Sequence, residues 1–142
     1  MSSKRRKARE IALQVLYGIA ISPSDWEASL AEAVERRRSS PEAAEYARDI
    51  IRQVVEHMDD LDRRIEERLE NWELKRVAVI DRTILRIALA ELVFFPETPT
   101  RVIINEAIEI AHVYSSKDAG RFVNGLLDGL AAVSYTHLRA HE

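Results

Sequence analysis

The stretch VAVIDRTILRIALAELVFF, residues 77–95, is apolar almost all the way round the helix that its spacing predicts. A helix without a continuous polar face is surrounded by other helices, so we expect this segment at the centre of a helical bundle. Pro96 and Pro99 follow it, and proline stops a helix because it has no N–H and restricts the residue before it. The fold is therefore expected to form around a central helix that ends at about residue 95.

Helical periodicity on both sides of this segment predicts six further helices. Apolar residues at steps of three and four fall into four helices before it, of which the fourth is expected to end at about Trp72, and into two helices after it. Serine, threonine and aspartate stand where helix caps are needed, and Pro41 suits the first turn of the third helix. The expected caps are Ser24 or Asp25, Ser40, Thr100 and Asp118.

Length and composition limit the architecture. The chain has 142 residues, 46% of them hydrophobic, and no cysteine, so it can bury a core but has no disulfides. We expect an all-α protein of about seven helices in one domain, residues 1–132, with two small packed bundles at about residues 4–72 and 74–132. Gly125 and Gly129 are expected to let a neighbouring helix approach closely. The absence of cysteine and of any ~18-residue apolar run fits a cytoplasmic protein without a membrane partner.

Positive charge is concentrated at the start of the first helix. Residues 1–10 hold five of the 21 Lys and Arg, so the other 132 residues carry 16 basic and 23 acidic residues, a net charge of −7. Cations at a helix N-terminus oppose the helix dipole, at a few tenths of a kcal/mol each, so stability does not explain them. A polyanion-binding arm is favoured over a solvated helix end or a targeting peptide. The arm consists of Lys4, Arg5, Arg6, Lys7 and Arg9.

Such an arm can hold the phosphates of a nucleic acid but cannot read its sequence. Reading requires aromatic and hydrogen-bonding side chains nearby. A group of this kind lies near the last predicted helix and consists of Tyr114, Lys117, Asp118, Arg121, Phe122 and Asn124. Taken alone, these residues favour a simpler interpretation, in which Phe122 belongs to the core and Asp118 is only a helix cap.

The sequence offers no catalytic constellation. Glu109 and His112 have the Glu-x-x-His spacing of di-metal helical bundles, but such a site needs a second copy on a facing helix, and the sequence has none. His57, His137 and His141 have no evident partners. A phosphate-binding glycine loop, a nucleophile elbow and a zinc signature are all absent. We therefore expect a protein that is not an enzyme and that holds no metal or cofactor.

Three longer motifs stand in order along the chain: RRKAREIALQVLY, IDRTILRIALAEL and VIINEAIEIAHVYSSKDAGRFVNGLLD. Together they resemble the NusB family of bacterial transcription antitermination factors, over about residues 4–131. The resemblance implies an all-helical scaffold whose arginine-rich arm binds single-stranded boxA RNA. It also implies a partnership with NusE, a small-subunit ribosomal protein, in an RNA polymerase antitermination complex that supports transcription of ribosomal RNA operons.

Carried over by position, the resemblance assigns residues to two surfaces. Tyr17 and Asp81 match positions that contact NusE, although Asp81 is shorter than the glutamate expected there. Arg86 is placed beside the aromatic and polar group near the last helix. The RNA-binding residues that the resemblance implies are Lys4, Arg5, Arg6, Lys7, Arg9, Arg86, Tyr114, Lys117, Asp118, Arg121, Phe122 and Asn124.

Other interpretations of the same sequence stay open. One is a non-specific helical RNA-binding or interaction module, and another is the detached NusB-like domain of an RNA methyltransferase, although the chain contains no cofactor-binding α/β segment. Some members of the family self-associate, so a homodimer is also open. The last stretch, VSYTHLRAHE at residues 133–142, departs from the family and is interpreted as a non-native or disordered tail.

Overall fold

The computed structural model describes residues 3–69 and 73–140, with side chains for residues 4–69 and 73–132. All secondary structure within these ranges is helical, which confirms the all-α prediction. A 3-10 turn at Leu74–Arg76, which the periodicity did not predict, precedes the central helix. The α-helices are α1 (Ser3–Ile21), α2 (Trp26–Arg37), α3 (Pro41–Glu56), α4 (Met58–Glu66), α5 (Val79–Phe94), α6 (Thr100–Tyr114) and α7 (Lys117–Ala140).

Two of the predicted caps are confirmed. Asp25 accepts a hydrogen bond from the N–H of Glu27 at 3.1 Å, and Ser40 accepts one from the N–H of Ala43 at 3.1 Å. Pro41 occupies the first turn of α3, as expected, because its missing N–H would have no helical partner there. The starts of α2 and α3 are therefore set by local sequence.

The last two helices begin differently from the prediction. Thr100 is the first residue of α6 instead of its cap, and Pro99 precedes it without a side-chain hydrogen bond. Ser116 caps α7, because its hydroxyl accepts a hydrogen bond from the N–H of Ala119 at 3.0 Å. Asp118 consequently lies inside the first turn of α7, where its negative charge still interacts favourably with the helix dipole.

The central position of the 77–95 segment is confirmed. α5 packs against α1, α3, α4, α6 and α7, and its buried residues include Leu85 and Leu89, neither of which is exposed at all. A single cluster of buried apolar side chains runs through both predicted bundles. α5 thus joins the N-terminal helices to the C-terminal pair.

Gly125 and Gly129 of α7 were predicted to let a neighbouring helix approach closely, and the structure differs from this prediction at both. An added Cβ at Gly125 would meet nothing within 4 Å, so no helix approaches there. At Gly129 the close neighbour is the guanidinium of Arg68. Gly120, which the prediction passed over, lies directly against the imidazole of His112.

Two helix ends also differ from the prediction. α4 ends at Glu66, and Trp72 lies outside the described residues. α7 continues to Ala140, past the predicted end at about residue 132. Residues 133–140 contain no glycine or proline to stop a helix, and each added residue gains one backbone hydrogen bond. The side chain of His137, and all of His141, lie outside the described part of the chain.

Candidate nucleic-acid interface

The cations at the start of α1 divide between solvent and protein interior. Lys4, Arg5 and Lys7 are exposed, whereas the side chain of Arg9 is only 2% exposed. The division follows from helix geometry, because α1 packs against α2, α3 and α5 and leaves one side free. The predicted arm is therefore not a uniform basic surface.

Arg9 is a buried structural residue, which corrects its prediction as an RNA contact. Its Nε and Nη2 donate to the two carboxylate oxygens of Glu91 at 2.7 and 2.8 Å. Burial acts to lower the pKa of Arg9, but the Glu91 carboxylate outweighs it, and the pKa is raised. A buried guanidinium needs such a carboxylate partner, so Arg9 joins α1 to α5 instead of facing solvent.

Tyr46 of α3 connects this buried pair to the exposed Arg5. Its hydroxyl donates to Glu91 Oε2 at 2.6 Å. Burial first, and the Glu91 carboxylate second, raise the pKa of Tyr46 to about 12. The guanidinium of Arg5 lies over the Tyr46 ring, 4.8 Å from its centroid, and its Nη1 donates to Thr98 Oγ1 at 3.3 Å. The plane of Arg5 is thus fixed in position at the protein surface.

Arg6 and Lys4 are held by carboxylates. Arg6 forms a bidentate pair with Glu106 of α6, whose carboxylate also lies 3.5 Å from Arg9 Nη1. The hydrogen bond from Arg6 holds the pKa of Glu106 below its ordinary value. Lys4 donates to Glu42 at 2.6 Å, at an exposed position where such a pair is readily exchanged. Arg6 is consequently an anchor, whereas Lys4 can still reach a phosphate.

Lys4 and Lys7 also line a cleft of about 500 Å³ that the sequence reasoning missed. Its opposite side is the C-terminal end of α2 and the turn that follows, which supply two further cations, Arg37 and Arg38. The run RRRSS at residues 36–40 was the available signal, but it was interpreted only as a helix break. We call this feature the α1–α2 cleft, lined by Lys4, Lys7, Glu10, Arg37, Arg38, Ser39 and Ser40.

The residues predicted as one aromatic and polar group near α7 are divided by the structure. Lys117, Arg121 and Asn124 line a cleft of about 400 Å³ together with His112, which the prediction considered only as a metal ligand. Tyr114 is 41% exposed and lines a different depression. The cleft thus brings the polar ends of Lys117, Arg121 and Asn124 to a largely apolar surface that includes Ile108, without the Tyr114 ring.

The remaining two members of the group lie at its margins. Asp118 is exposed and has its carboxylate 3.8 Å from the guanidinium of Arg121. Phe122 is half-buried and packs against the core, as the simpler interpretation expected. Among the described residues, no group of three or more His, Asp and Glu can hold a metal ion.

Arg86 is held mainly by a carboxylate of α4, which does not favour its predicted role as an RNA contact. Its Nε and Nη2 donate to the carboxylate oxygens of Asp62 at 2.7 and 2.8 Å, and its side chain is only 13% exposed. The pair fastens α5 to α4 in the same bidentate way as Arg9 and Glu91 fasten α1 to α5.

Of the two residues predicted to contact a protein partner, Tyr17 lines a surface depression and Asp81 does not. Tyr17 is 39% exposed and lines the depression with Ile80 and Tyr114. Asp81 follows Ile80 in the first turn of α5, and its Oδ1 is buried without a hydrogen bond from the described residues. Partly exposed aromatic rings around a depression are features of a surface that a partner covers.

No helix within the described residues has the length and apolar character needed to cross a bilayer. A sequence model of the NusB family matches residues 6–132. The transcription antitermination protein NusB of Symbiobacterium thermophilum is 39% identical over 131 residues, which cover 87% of this chain and 86% of that protein.

Solved structures show the same relationship. The structure of T. maritima NusB has a TM-score of 0.86 and 38% identity, and covers 93% of each chain. A chain from a crystal structure of the antitermination factors NusB and NusE in complex with dsRNA has a TM-score of 0.86 at 28% identity, covering 94% of this chain and 99% of that one.

Proposed function

The chain belongs to the NusB family, and we propose that it is a transcription antitermination factor that binds boxA RNA together with NusE. In this proposal it is an RNA-binding scaffold and not an enzyme. It acts with RNA polymerase in the bacterial cytoplasm and supports processive transcription of ribosomal RNA operons. The observation that carries the proposal is the divided arm of α1, in which buried ion pairs anchor the helix and leave three cations exposed.

The exposed cations can bind an RNA backbone at low conformational cost. Arg6 and Arg9 hold the start of α1 against α5 and α6, so Lys4, Arg5 and Lys7 project from a fixed helix instead of a loose tail. Arg5 lies on the Tyr46 ring, and a guanidinium held in one plane can stack against an unpaired base. Preorganisation of this kind lowers the entropy lost on binding.

The cleft near α7 supplies a second group of RNA contacts. Lys117 and Arg121 are exposed cations for phosphates. Asn124 carries an amide that can both donate to and accept from a base edge. Asp118 and Phe122 lie at the margins of this cleft. We propose Tyr114, which lines a different depression, as the base-stacking ring because its side chain is more exposed than that of Phe122.

The apolar depression of Tyr17, Ile80 and Tyr114 is proposed as the NusE surface. Its aromatic rings are partly exposed, and aromatic residues are enriched in protein interfaces. Asp81 follows Ile80 in the first turn of α5 and is half-buried, so it would add a negative charge beside this surface. Tyr114 lines this depression and precedes Lys117 by only three residues, so NusE bound here would be close to the RNA.

Binding of labelled boxA RNA tests the proposal. The protein is titrated into boxA RNA and into a scrambled RNA of the same composition, each with and without NusE. We expect a preference for boxA that increases when NusE is present, because the two proteins then share one RNA. Equal affinity for the two RNAs under both conditions would contradict the proposal.

A further inference from the structure

We infer that the α1–α2 cleft extends the phosphate-binding surface of the arm, so that the exposed start of α1 and the C-terminal end of α2 with its following turn hold the backbone of the same single-stranded RNA. The inference rests on the proposed RNA-binding function. It adds Arg37 and Arg38 to the RNA contacts, neither of which the family resemblance implied. It also predicts a longer path for the RNA than the arm alone would give.

The charge inside the cleft is the first reason. Four cations line it, namely Lys4, Lys7, Arg37 and Arg38, against one carboxylate, that of Glu10. The whole protein carries a net charge of −3, so this cleft is a local positive field on an acidic body. Low-dielectric walls focus such a field and attract a polyanion.

The lack of internal partners for two of these cations is the second reason. Within the described residues, the side chains of Lys7 and Arg38 form no hydrogen bond and no ion pair. Arg37 donates from Nε to Gln14 Oε1 at 3.0 Å, and its Nη1 lies 3.7 Å from Glu10. Lys4 pairs with Glu42 at an exposed position and Arg37 lies near Glu10, so the charges of Lys7 and Arg38 are the ones directly available to phosphate oxygens.

The backbone of Arg38 is the third reason. Its φ of 53° and ψ of 46° are left-handed, and it is the only non-glycine residue with positive φ in the described part of the chain. Its N–H donates to the carbonyl of Glu35, and the N–H of Ser39 to that of Val34, each at 3.1 Å. Glycine is the low-strain residue for this helix end. An arginine in this left-handed conformation is strained, and strained backbone positions are concentrated at functional sites.

The position of the cleft is the fourth reason. Arg37 and Glu10 line both the α1–α2 cleft and the depression of Tyr17 and Tyr114. A strand bound in the cleft therefore lies beside the proposed NusE surface and leads towards Tyr114. An extended strand can contact all of these cations in succession, because the cleft is open to solvent.

Arg38→Gly tests this inference without loss of the fold. Glycine removes the charge and relieves the left-handed strain, so thermal stability is expected to stay the same or to rise. Affinity for boxA RNA at about 100 mM salt is expected to fall by roughly three- to ten-fold, and the log–log salt slope to become shallower by about 0.7, as for one lost phosphate contact. Arg38→Lys is expected to keep most of the affinity because it keeps the charge.

Arg36→Ala is the matched control. Arg36 lies in the same helix end, is 60% exposed and pairs with Glu32, but it does not line the cleft. We expect an affinity within two-fold of the wild type. Equal effects of Arg36→Ala and Arg38→Gly, or no effect of either, would overturn the inference.

A further variant separates this inference from the proposed function. If Lys117→Ala with Arg121→Ala weakens boxA binding and Arg38→Gly does not, the cleft is not an RNA site and the proposed function stands. If the wild-type protein with NusE does not distinguish boxA from the scrambled RNA, the proposed function fails. If the wild type binds no RNA, both are wrong.

Discussion

Arg9 of α1 and Glu91 of α5 form a bidentate ion pair at 2.7 and 2.8 Å, with side chains that are 2% and 1% exposed. This pair fixes the basic start of α1 to the central helix. The Glu91 carboxylate also accepts a hydrogen bond from the Tyr46 hydroxyl, and the guanidinium of the exposed Arg5 lies over the Tyr46 ring. The interior of the protein thereby determines where the surface cations lie.

Removing one partner of this pair should destabilise the protein strongly. Arg9→Met leaves the Glu91 carboxylate buried with only Tyr46 as a donor, at an expected cost of about 3–5 kcal/mol in the free energy of unfolding. The double variant Arg9→Met with Glu91→Leu should be more stable than Arg9→Met alone, because no unpaired charge remains. Urea unfolding measures both, and a double variant that is the less stable of the two would contradict the account.

Tyr46 should separate stability from RNA binding. Tyr46→Phe removes the hydrogen bond to Glu91 but keeps the ring under Arg5, so we expect a loss of about 1.5–3 kcal/mol in stability and an unchanged RNA affinity. Tyr46→Leu removes the ring as well and should also weaken RNA binding. The two variants are compared by thermal unfolding and by RNA titration, and equal RNA affinities for both would show that the ring does not position Arg5.

The pair between Arg6 and Glu106 should make stability depend on acid pH. The hydrogen bond from Arg6 lowers the pKa of Glu106 from its ordinary 4.5. The pair therefore stabilises the protein fully above about pH 4.5, and this contribution is lost as the pH falls through the lower folded pKa. Glu106→Gln should be less stable than wild type at pH 7, and the difference should shrink as the pH drops.

Melting temperatures between pH 3 and pH 7 measure this difference. Glu45→Gln is the control for loss of one exposed carboxylate, and its difference from wild type should change less over this range. A constant difference between Glu106→Gln and wild type at all pH values would contradict the role assigned to the pair.

Two glycines of α7 should respond oppositely to alanine. Gly125→Ala meets open space and should stabilise the protein by about 0.5–1 kcal/mol through helix propensity. Gly120→Ala places a methyl group on the His112 imidazole, so the ring must move and much of that gain is lost. Adding His112→Ala to Gly120→Ala should restore the gain. A stabilisation by Gly120→Ala equal to that of Gly125→Ala would mean that His112 does not need the glycine.

Most of the helical structure could be predicted because periodicity, proline positions and two of the caps are local properties. The site was less predictable because it depends on partners distant in the chain. Arg9 finds Glu91, which is 82 residues away. The one available signal was Glu91 itself, since a carboxylate inside the apolar segment 77–95 requires a buried cation or donor. Lys4, Arg5 and Lys7 were placed correctly at the surface because no such requirement acts on them.

The group at residues 114–124 was divided for a similar reason. Sequence spacing places Tyr114 near Lys117, but α6 ends at Tyr114 and a new helix, α7, begins at Lys117. The turn leaves Tyr114 beside Tyr17 of α1 and places Arg121 and Asn124 beside His112. This division depends on the angle between α6 and α7, and hydrophobic periodicity in the sequence does not predict that angle.

The central claim is that the basic start of α1 consists of cations that bind RNA and cations that anchor the helix. The most direct measurement compares the salt dependence of boxA affinity and the stability of two variants, Arg5→Ala with Lys7→Ala, and Arg9→Met. The account predicts that the first loses about 1.4 from the log–log salt slope and keeps its stability, whereas the second keeps the slope while it is folded and loses several kcal/mol. A shallower slope with unchanged stability for Arg9→Met would contradict it.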